Sequence, residues 1–334
     1  MARVLPPLTA SSWLTAWTAD PVGIALGVLL LAGYAVCLVR LHRTGRAWSG
    51  WRALAFIVVG VGTLVYATCG VLAVYRGTLF WMAAAQATVL SAVTPLGLAL
   101  GDPVTLSANA LGDKGSRRLL GVLRGRVARV LMFPLLSSAV AVGTLVAVFF
   151  TPWLEDSLAS AGVREVLYLV VLGTGALFVL PLLGEEMLPA WCTHPVRALF
   201  AFVDGLADAV PGILVMTAPT LRAAGVPGYT NRTWGPDPAW DQKLGGGAML
   251  GIAESVGLPF LFAVLIGWVR ADAAEARAVD AELDAREREQ VRPVASRTGE
   301  AAAGGPAEGG PAAPEPARDR PWWETDPRFR DQYR

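Results

Sequence analysis

The sequence predicts an all-α, polytopic membrane protein with seven transmembrane helices, its N-terminus outside and its C-terminus cytoplasmic. Three observations carry that reading. Hydrophobic residues make up 54% of the 334-residue chain and charged residues only 16%, where a soluble chain carries roughly a quarter. The charges gather in short connecting segments and toward the C-terminus, leaving long apolar runs between them. Runs of about 18 apolar residues or more are long enough to span the hydrocarbon core as helices. In lipid, backbone polar groups must be satisfied within the segment, so these runs are helices and not open strands.

The spans fall at about 21–40, 53–75, 78–101, 129–151, 164–184, 196–218 and 246–270. Between the third and fourth, the segment of about 103–127 is too charged to cross and reads as an amphipathic stretch at the interface. Orientation follows from Lys and Arg in the loops. Arg40, Arg43, Arg46 and Arg52 mark the first loop, and Lys114, Arg117, Arg118, Arg124, Arg126 and Arg129 the third, so both are cytoplasmic. The alternate loops are poorer, with Arg76 alone in one and Arg164 beside Glu155 and Asp156 in another. No cleavable signal peptide is expected, because the basic cluster follows the first apolar run instead of preceding it. Trp13, Trp17 and Trp153 read as interfacial anchors.

Residues 1–20 form an outer N-terminal segment, 21–270 the seven-helix transmembrane domain, and 271–291 a cytoplasmic helical extension with Glu275, Glu282, Arg286 and Glu289 at helical spacing. Residues 292–334 read as a disordered cytoplasmic tail, rich in Ala, Gly and Pro over 294–318. It ends in Pro321-Trp322-Trp323-Glu324-Thr325-Asp326-Pro327, a docking segment or an interfacial anchor if it has a partner at all.

Several chemistries are excluded or weakened by what the chain lacks. The formal net charge of +1 leaves no broad basic face for nucleic acid once the loops are assigned. Cys37, Cys69 and Cys192 do not make a disulfide framework. The two histidines, His42 and His194, both fall in cytoplasmic loops, so no intramembrane bis-histidine haem or Ser-His-Asp arrangement can be built. Gly245-Gly246-Gly247 lacks the Lys-Ser/Thr ending of a phosphate loop and is expected to let the chain turn into the last span. No nucleophile–base pair or cofactor motif points to an enzyme.

Three acidic residues lie inside spans. Asp204 and Asp208, four apart, share one face of the sixth helix, and Glu254 sits in the seventh at a depth similar to Asp208. Ionisable groups at a helix centre cost roughly 2.5–3.5 kcal/mol on insertion scales, so they face the bundle interior and often mark function. Sharing a proton or a cation is the chemistry such a group offers; a structural hydrogen-bonded pair is the alternative. Met82, Met216 and Met249 fall near one end of their spans. Thioethers suit Cu(I), and they also fill gaps in apolar cores. Cys69 lies at a similar depth. Pro95, Pro134, Pro181, Pro211 and Pro259 interrupt spans.

Read in order, several stretches resemble the CtaG-type cytochrome c oxidase assembly factors, bacterial seven-span membrane proteins linked to copper delivery to haem-copper oxidases. The resemblance covers about 20–290. It rests on Leu79-Phe80 through Pro95 to Leu100-Gly101-Asp102-Pro103-Val104-Thr105-Leu106, on Phe150-Thr151-Pro152, Pro181-Leu182-Leu183-Gly184 and His194-Pro195-Val196-Arg197, and most specifically on Asp241-Gln242-Lys243-Leu244-Gly245-Gly246. The resemblance implies an accessory or assembly role for a respiratory haem-copper oxidase in the bacterial plasma membrane. Its partners would be the lipid bilayer and oxidase subunits, and Asp241 and Gln242 would be outer-face motif residues. Where the family's third span carries His-Met-x-x-His-Met, this chain reads Ala83-Ala84-Ala85-Gln86-Ala87-Thr88. Phe133 stands before Pro134, and Tyr168, Val170 and Asp208 stand where the family has further histidines. Copper, the metal the resemblance implies, would therefore not be held by the family's histidine route. Two rival readings stay open: a small transporter or proton-coupled carrier using Asp204, Asp208 and Glu254, and a Cu(I) carrier rebuilt from Met82, Met216, Met249 and Cys69.

Overall fold

The computed structural model describes residues 5–123, 125–131, 133–183 and 194–302. Among these the fold is all-α. Six helices are long and apolar enough to cross a membrane, and a seventh crossing exists if one bent pair counts as a single span. The long helices are α1 (Pro21–Arg43), α2 (Gly50–Tyr75), α3 (Phe80–Ala110), α4 (Pro134–Phe150), α5 (Trp153–Ala159), α6 (Ala161–Leu183), α7 (His194–Thr217) and α8 (Pro238–Ala302).

Local chemistry sets the boundaries. Asp20 starts α1: its carboxylate accepts from the Val22 and Gly23 amides at 3.1 and 2.9 Å, and Pro21 takes the first helical position, where no N–H is needed. Within α3 the residues Val89–Val93 wind with a wider π turn just ahead of Pro95, which accommodates the missing proline N–H. The helix breaks at Gly101 and Asp102, where Asp102 takes a left-handed φ of 47° and caps the last stretch through the Thr105 amide. The predicted fourth span, 129–151, is not one helix. Short helices Gly112–Leu123 and Arg126–Leu131 come first, and α4 opens at Pro134. Thr151-Pro152 then turns the chain by 67° into α5, because Pro152 has no amide to continue the preceding helix.

The glycine run is also corrected. Gly245, Gly246 and Gly247 lie inside α8 and do not form a turn leading into it; the helix starts at Pro238. A Cβ on Gly246 would stand 2.5 Å from the Gly212 carbonyl oxygen, and one on Gly245 would stand 2.7 Å from the Phe80 ring. These glycines let α8 press directly on α7 and α3.

The same device joins α2 to α3. A side chain on Gly97 would collide with the backbone of Val59 and Gly60, and one on Gly175 of α6 with the Ser91 carbonyl. Small residues allow such close crossings in a bundle where lipid is as apolar as the side chains. Thr63 and Thr94 exchange a hydrogen bond of 2.8 Å at the α2–α3 crossing. The main core gathers Leu64, Val71, Tyr75, Phe80, Met82, Leu90, Val148, Val171 and Met249. A smaller cluster at the other end stacks Tyr34 on Phe56 at 4.0 Å, with Trp48 donating to the Tyr34 hydroxyl and Tyr34 donating to Gly101. Val28, Leu29, Leu206 and Phe262 stay exposed, as outward-facing residues of a lipid-contacting bundle do.

The chain divides into Met1–Ala271 and Asp272–Arg334. In the second unit, Arg286 pairs with Glu282 one turn away at 2.6 Å, and the helix carries on to Ala302, past residue 291, where the sequence placed its end. Cys192, the linker beyond Ala302 and the Trp322-Trp323 segment lie outside the described residues.

Gly97→Leu should prevent the α2–α3 crossing. Forcing side-chain volume into a closed contact costs about 1–3 kcal/mol or more. The expected result is a lowered unfolding midpoint in detergent, followed by tryptophan fluorescence, whereas Gly143→Leu, at an open position, should leave the midpoint near that of the parent.

Candidate functional site

Three polar constructions interrupt the apolar bundle. The first is built on Asp241, in the first turn of α8 and 0% exposed. Its two carboxylate oxygens accept from the Phe80 and Trp81 amides at 2.9 and 3.1 Å, so a residue of α8 caps the start of α3. Those amides have no partner within α3, and a negative charge there is favoured by the helix dipole. Arg232 completes the pair at 2.9 Å from Asp241 Oδ2. The rest of its guanidinium donates to the carbonyls of Thr78, Tyr229, Trp234 and Pro236, pinning the 218–237 loop. The neighbouring Gln242 accepts from the Arg222 amide at 2.6 Å and donates to the Val215, Ala218 and Thr220 carbonyls, closing the end of α7. Asp241 and Gln242 therefore tie α3, α7, α8 and their loop together.

The second construction surrounds Arg76, which follows α2 and is 5% exposed. Its guanidinium donates to the Tyr168 hydroxyl at 3.0 Å and to Ser157 Oγ at 2.6 Å, and lies over the Tyr168 ring at 5.2 Å. Gln86 of α3 donates to the same Tyr168 hydroxyl at 2.8 Å and to the Ala67 carbonyl at 2.6 Å. Tyr229, on the 218–237 loop, donates to the Arg76 carbonyl at 2.5 Å. Burial pushes the Tyr229 phenol up from its ordinary value, outweighing the pull of the Arg76 charge, so this bond persists through the physiological pH range. Of these residues the sequence singled out Gln86 and Tyr168, at positions matched to the histidine-bearing stretches. It missed the role of Arg76, which reads as a lone loop charge. The one available signal was an arginine placed within a few residues of two long apolar runs.

The third construction is a narrow cavity of about 50 Å³ between α3, α4, α6, α7 and α8, lined by Thr88, Ser91, Asp204, Asp208 and Met249 among others. Asp204 is hydrogen-bonded to Ser138 of α4 and lies near Asp208. Glu254 is close enough to act electrostatically on Asp208. The structure thus brings the three predicted carboxyl groups into one neighbourhood in the middle of the bundle.

The methionines are placed differently. Met82 and Met249 are buried in the main core cluster, whereas Met216 lines a separate groove with Trp81, Trp240 and Lys243. Cys69 ends a helical stretch of α2 beside Thr68 and the Asp20 carbonyl. Among the described residues no group of three or more His, Cys, Asp and Glu side chains is arranged to hold a metal.

A motif pair whose geometry clamps three helices, set in a bundle of apolar spans, invites comparison with known families. A model of the cytochrome c oxidase caa3 assembly factor (CtaG) matches residues 32–271. The chain belongs to that family. The match contains all three polar constructions. Curated relatives are similar to this family member over most of its length. They include uncharacterised proteins of Mycobacterium bovis and Mycobacterium tuberculosis, each 28% identical over 83% of this chain and 43% of their own, and one of Mycobacterium leprae, 25% identical over 77% and 40%. The chain thus spans less than half the length of these relatives. No solved structure matches it.

Asp241→Ala should leave Arg232 buried and unpaired and strip two amides of their acceptor. Breaking a buried ion pair from one side costs about 3–5 kcal/mol. Gln242→Ala should cost about 1–3 kcal/mol through its unsatisfied partners. Thermal unfolding in detergent should rank the variants in that order.

Proposed function

We propose that this protein is an accessory factor of the bacterial plasma membrane that assists assembly of a respiratory haem-copper oxidase through contacts with oxidase subunits in the bilayer. The observation that carries this reading is the family match across nearly the whole transmembrane region. The donor chemistry does not fit a histidine-built copper site. The stretch that would bear imidazoles holds Ala83 and Ala87 packed in the core, and the polar groups next to it are the amide of Gln86 and the phenol of Tyr168, neither of them a soft ligand. The role is therefore placed in protein contact and not in ferrying copper through that stretch. It is also read as non-catalytic.

A second reading rests on the cavity lined by Asp204 and Asp208, with Glu254 acting on Asp208: a small transporter or proton-coupled carrier using intramembrane carboxyl groups. A third keeps copper by way of Met82, Met216 and Met249, two of which share the main core.

Each reading has its own check. The tagged full chain, captured from digitonin-solubilised membranes, should bring down oxidase subunits with their haem absorbance, and its deletion should lower oxidase activity. Capture without haem together with unchanged activity would end the assembly reading. Asp208→Asn combined with Glu254→Gln should leave proton-coupled solute flux in proteoliposomes unchanged if the cavity is structural, and abolish it if the carrier reading holds. After loading with Cu(I) under reducing conditions and desalting, less than one copper per chain should remain. A stoichiometric copper lost in the Met82→Leu/Met216→Leu/Met249→Leu variant would instead establish the thioether route.

A further inference from the structure

Arg76 is a buried cation that has no ion-pair partner among the described residues. Asp20 and Glu165 pair with Arg164, Asp241 with Arg232, and Asp102 with Arg52. Its hydrogen-bond acceptors are two neutral hydroxyls, and its buried Nε has no hydrogen-bond partner among the described residues. Buried charges in proteins are normally paired, because an uncompensated one carries a desolvation cost of several kcal/mol.

Arg76 also lines a cavity. This space of about 260 Å³ lies between the start of α1, the end of α2, α5 and the start of α6. It is distinct from the carboxyl cavity and shares no residue with it. Its polar wall consists of Arg76, Arg164, Tyr168, Ser157, Thr18 and Thr68, together with Asp20. Asp20 and Glu165 pair with Arg164, so the charge left uncompensated in the wall is that of Arg76. One Asp20 oxygen is taken by the Val22 and Gly23 amides, and the other faces Arg164 Nε at 3.6 Å. Two guanidinium groups and several hydroxyls thus converge on a space large enough for a group of a few heavy atoms, a water in liquid occupying about 30 Å³. Guanidinium groups flanked by the Tyr168 and Thr18 hydroxyls match the tetrahedral, multiply accepting oxygens of phosphate; Ser157 and Thr68 already give their protons to the Leu154 and Leu64 carbonyls.

We propose that this cavity binds a phosphate group, with Arg76 as its buried counter-charge and Arg164 at the rim. The same chemistry is offered by free inorganic phosphate and by the headgroup of an anionic phospholipid. The bound group would supply the acceptor that Arg76 lacks.

The full chain in phosphatidylcholine nanodiscs would be dialysed to equilibrium against radiolabelled inorganic phosphate at constant ionic strength set with chloride. One phosphate per chain is expected, with Arg76→Lys weakening it tenfold or more, since a point ammonium cannot reproduce the fork, and Arg164→Gln weakening it several-fold. In parallel, native mass spectrometry from phosphatidylglycerol nanodiscs would read retained lipid. A phosphatidylglycerol that survives delipidation, is displaced by phosphate and is lost in Arg164→Gln identifies the headgroup as the source; phosphate binding without retained lipid identifies the free anion. Absence of both from the parent chain would overturn the proposal, as would binding to Arg164→Gln and Arg76→Lys at parental strength. If Arg76→Lys does not fold, Arg164→Gln decides the matter, because it removes the rim cation and leaves every hydrogen bond of Arg76 in place.

Discussion

The fold depends on a buried carboxylate that reaches from the start of one helix to the start of another. Asp241 sits in the first turn of α8, yet its oxygens are spent on the first amides of α3 and on Arg232. A buried ion pair is poor value when its remaining lone pairs and protons are left unmet. Here they are not: both carboxylate oxygens accept amides, and Arg232 donates to four loop carbonyls besides. Full satisfaction turns a costly pair into a specific one, since only one placement of the 218–237 loop serves all these groups. That loop then carries Tyr229 to the Arg76 carbonyl and Trp234 to the Leu5 carbonyl, so the N-terminal segment and the end of α2 are held by the same knot.

Below the knot, packing takes over from polarity. Glycines at 60 and 97, at 175, and at 212 and 246 bring backbones together where no side chain fits. In lipid there is no hydrophobic gain from burying one apolar helix on another, so contact must come from close approach and dispersion. The close crossings also place the narrow carboxyl cavity. α7 and α8 are drawn together at Gly212 and Gly246, and Asp208 lies one turn before that contact while Glu254 lies two turns after it. The polar groups in this cavity are thus positioned by small residues and not by hydrogen bonds of their own backbone.

Hydropathy alone located the apolar helices, because span length is dictated by the bilayer and needs no partner. It erred where continuity depended on geometry instead of apolarity. Pro134 breaks what composition reads as one span, and Gly245 to Gly247 continue a helix that composition reads as a turn, because glycine's weak helix propensity is overridden by the contacts its missing side chain allows. The site divides in the same way. Asp241 and Gln242 stood out as a motif, but a sequence does not reveal that a carboxylate's hydrogen-bond partners lie about 160 residues earlier in the chain. Arg76 stood out least, since an arginine between two spans looks solvated until the loop and α5 are seen to close over it.

The consequence of that closure bears on what this end of the bundle can attract. Two unit charges about 4 Å apart interact at about 4 kcal/mol in a partly protected setting, so a buried guanidinium whose hydrogen-bond acceptors are neutral favours an anion beside it, the Arg164 charge in the same cavity being already paired with Asp20 and Glu165. Gln86 and Tyr168 do not change the sign, because they contribute dipoles and no charge, and both are oriented by the same hydroxyl that Arg76 engages. The carboxyl cavity, lined by Asp204 and Asp208 with Glu254 near Asp208, has the opposite character. Two polar interiors of opposite preference in one bundle are easier to reconcile with a protein that orders several different groups around itself than with one that conducts a single ion along a single path.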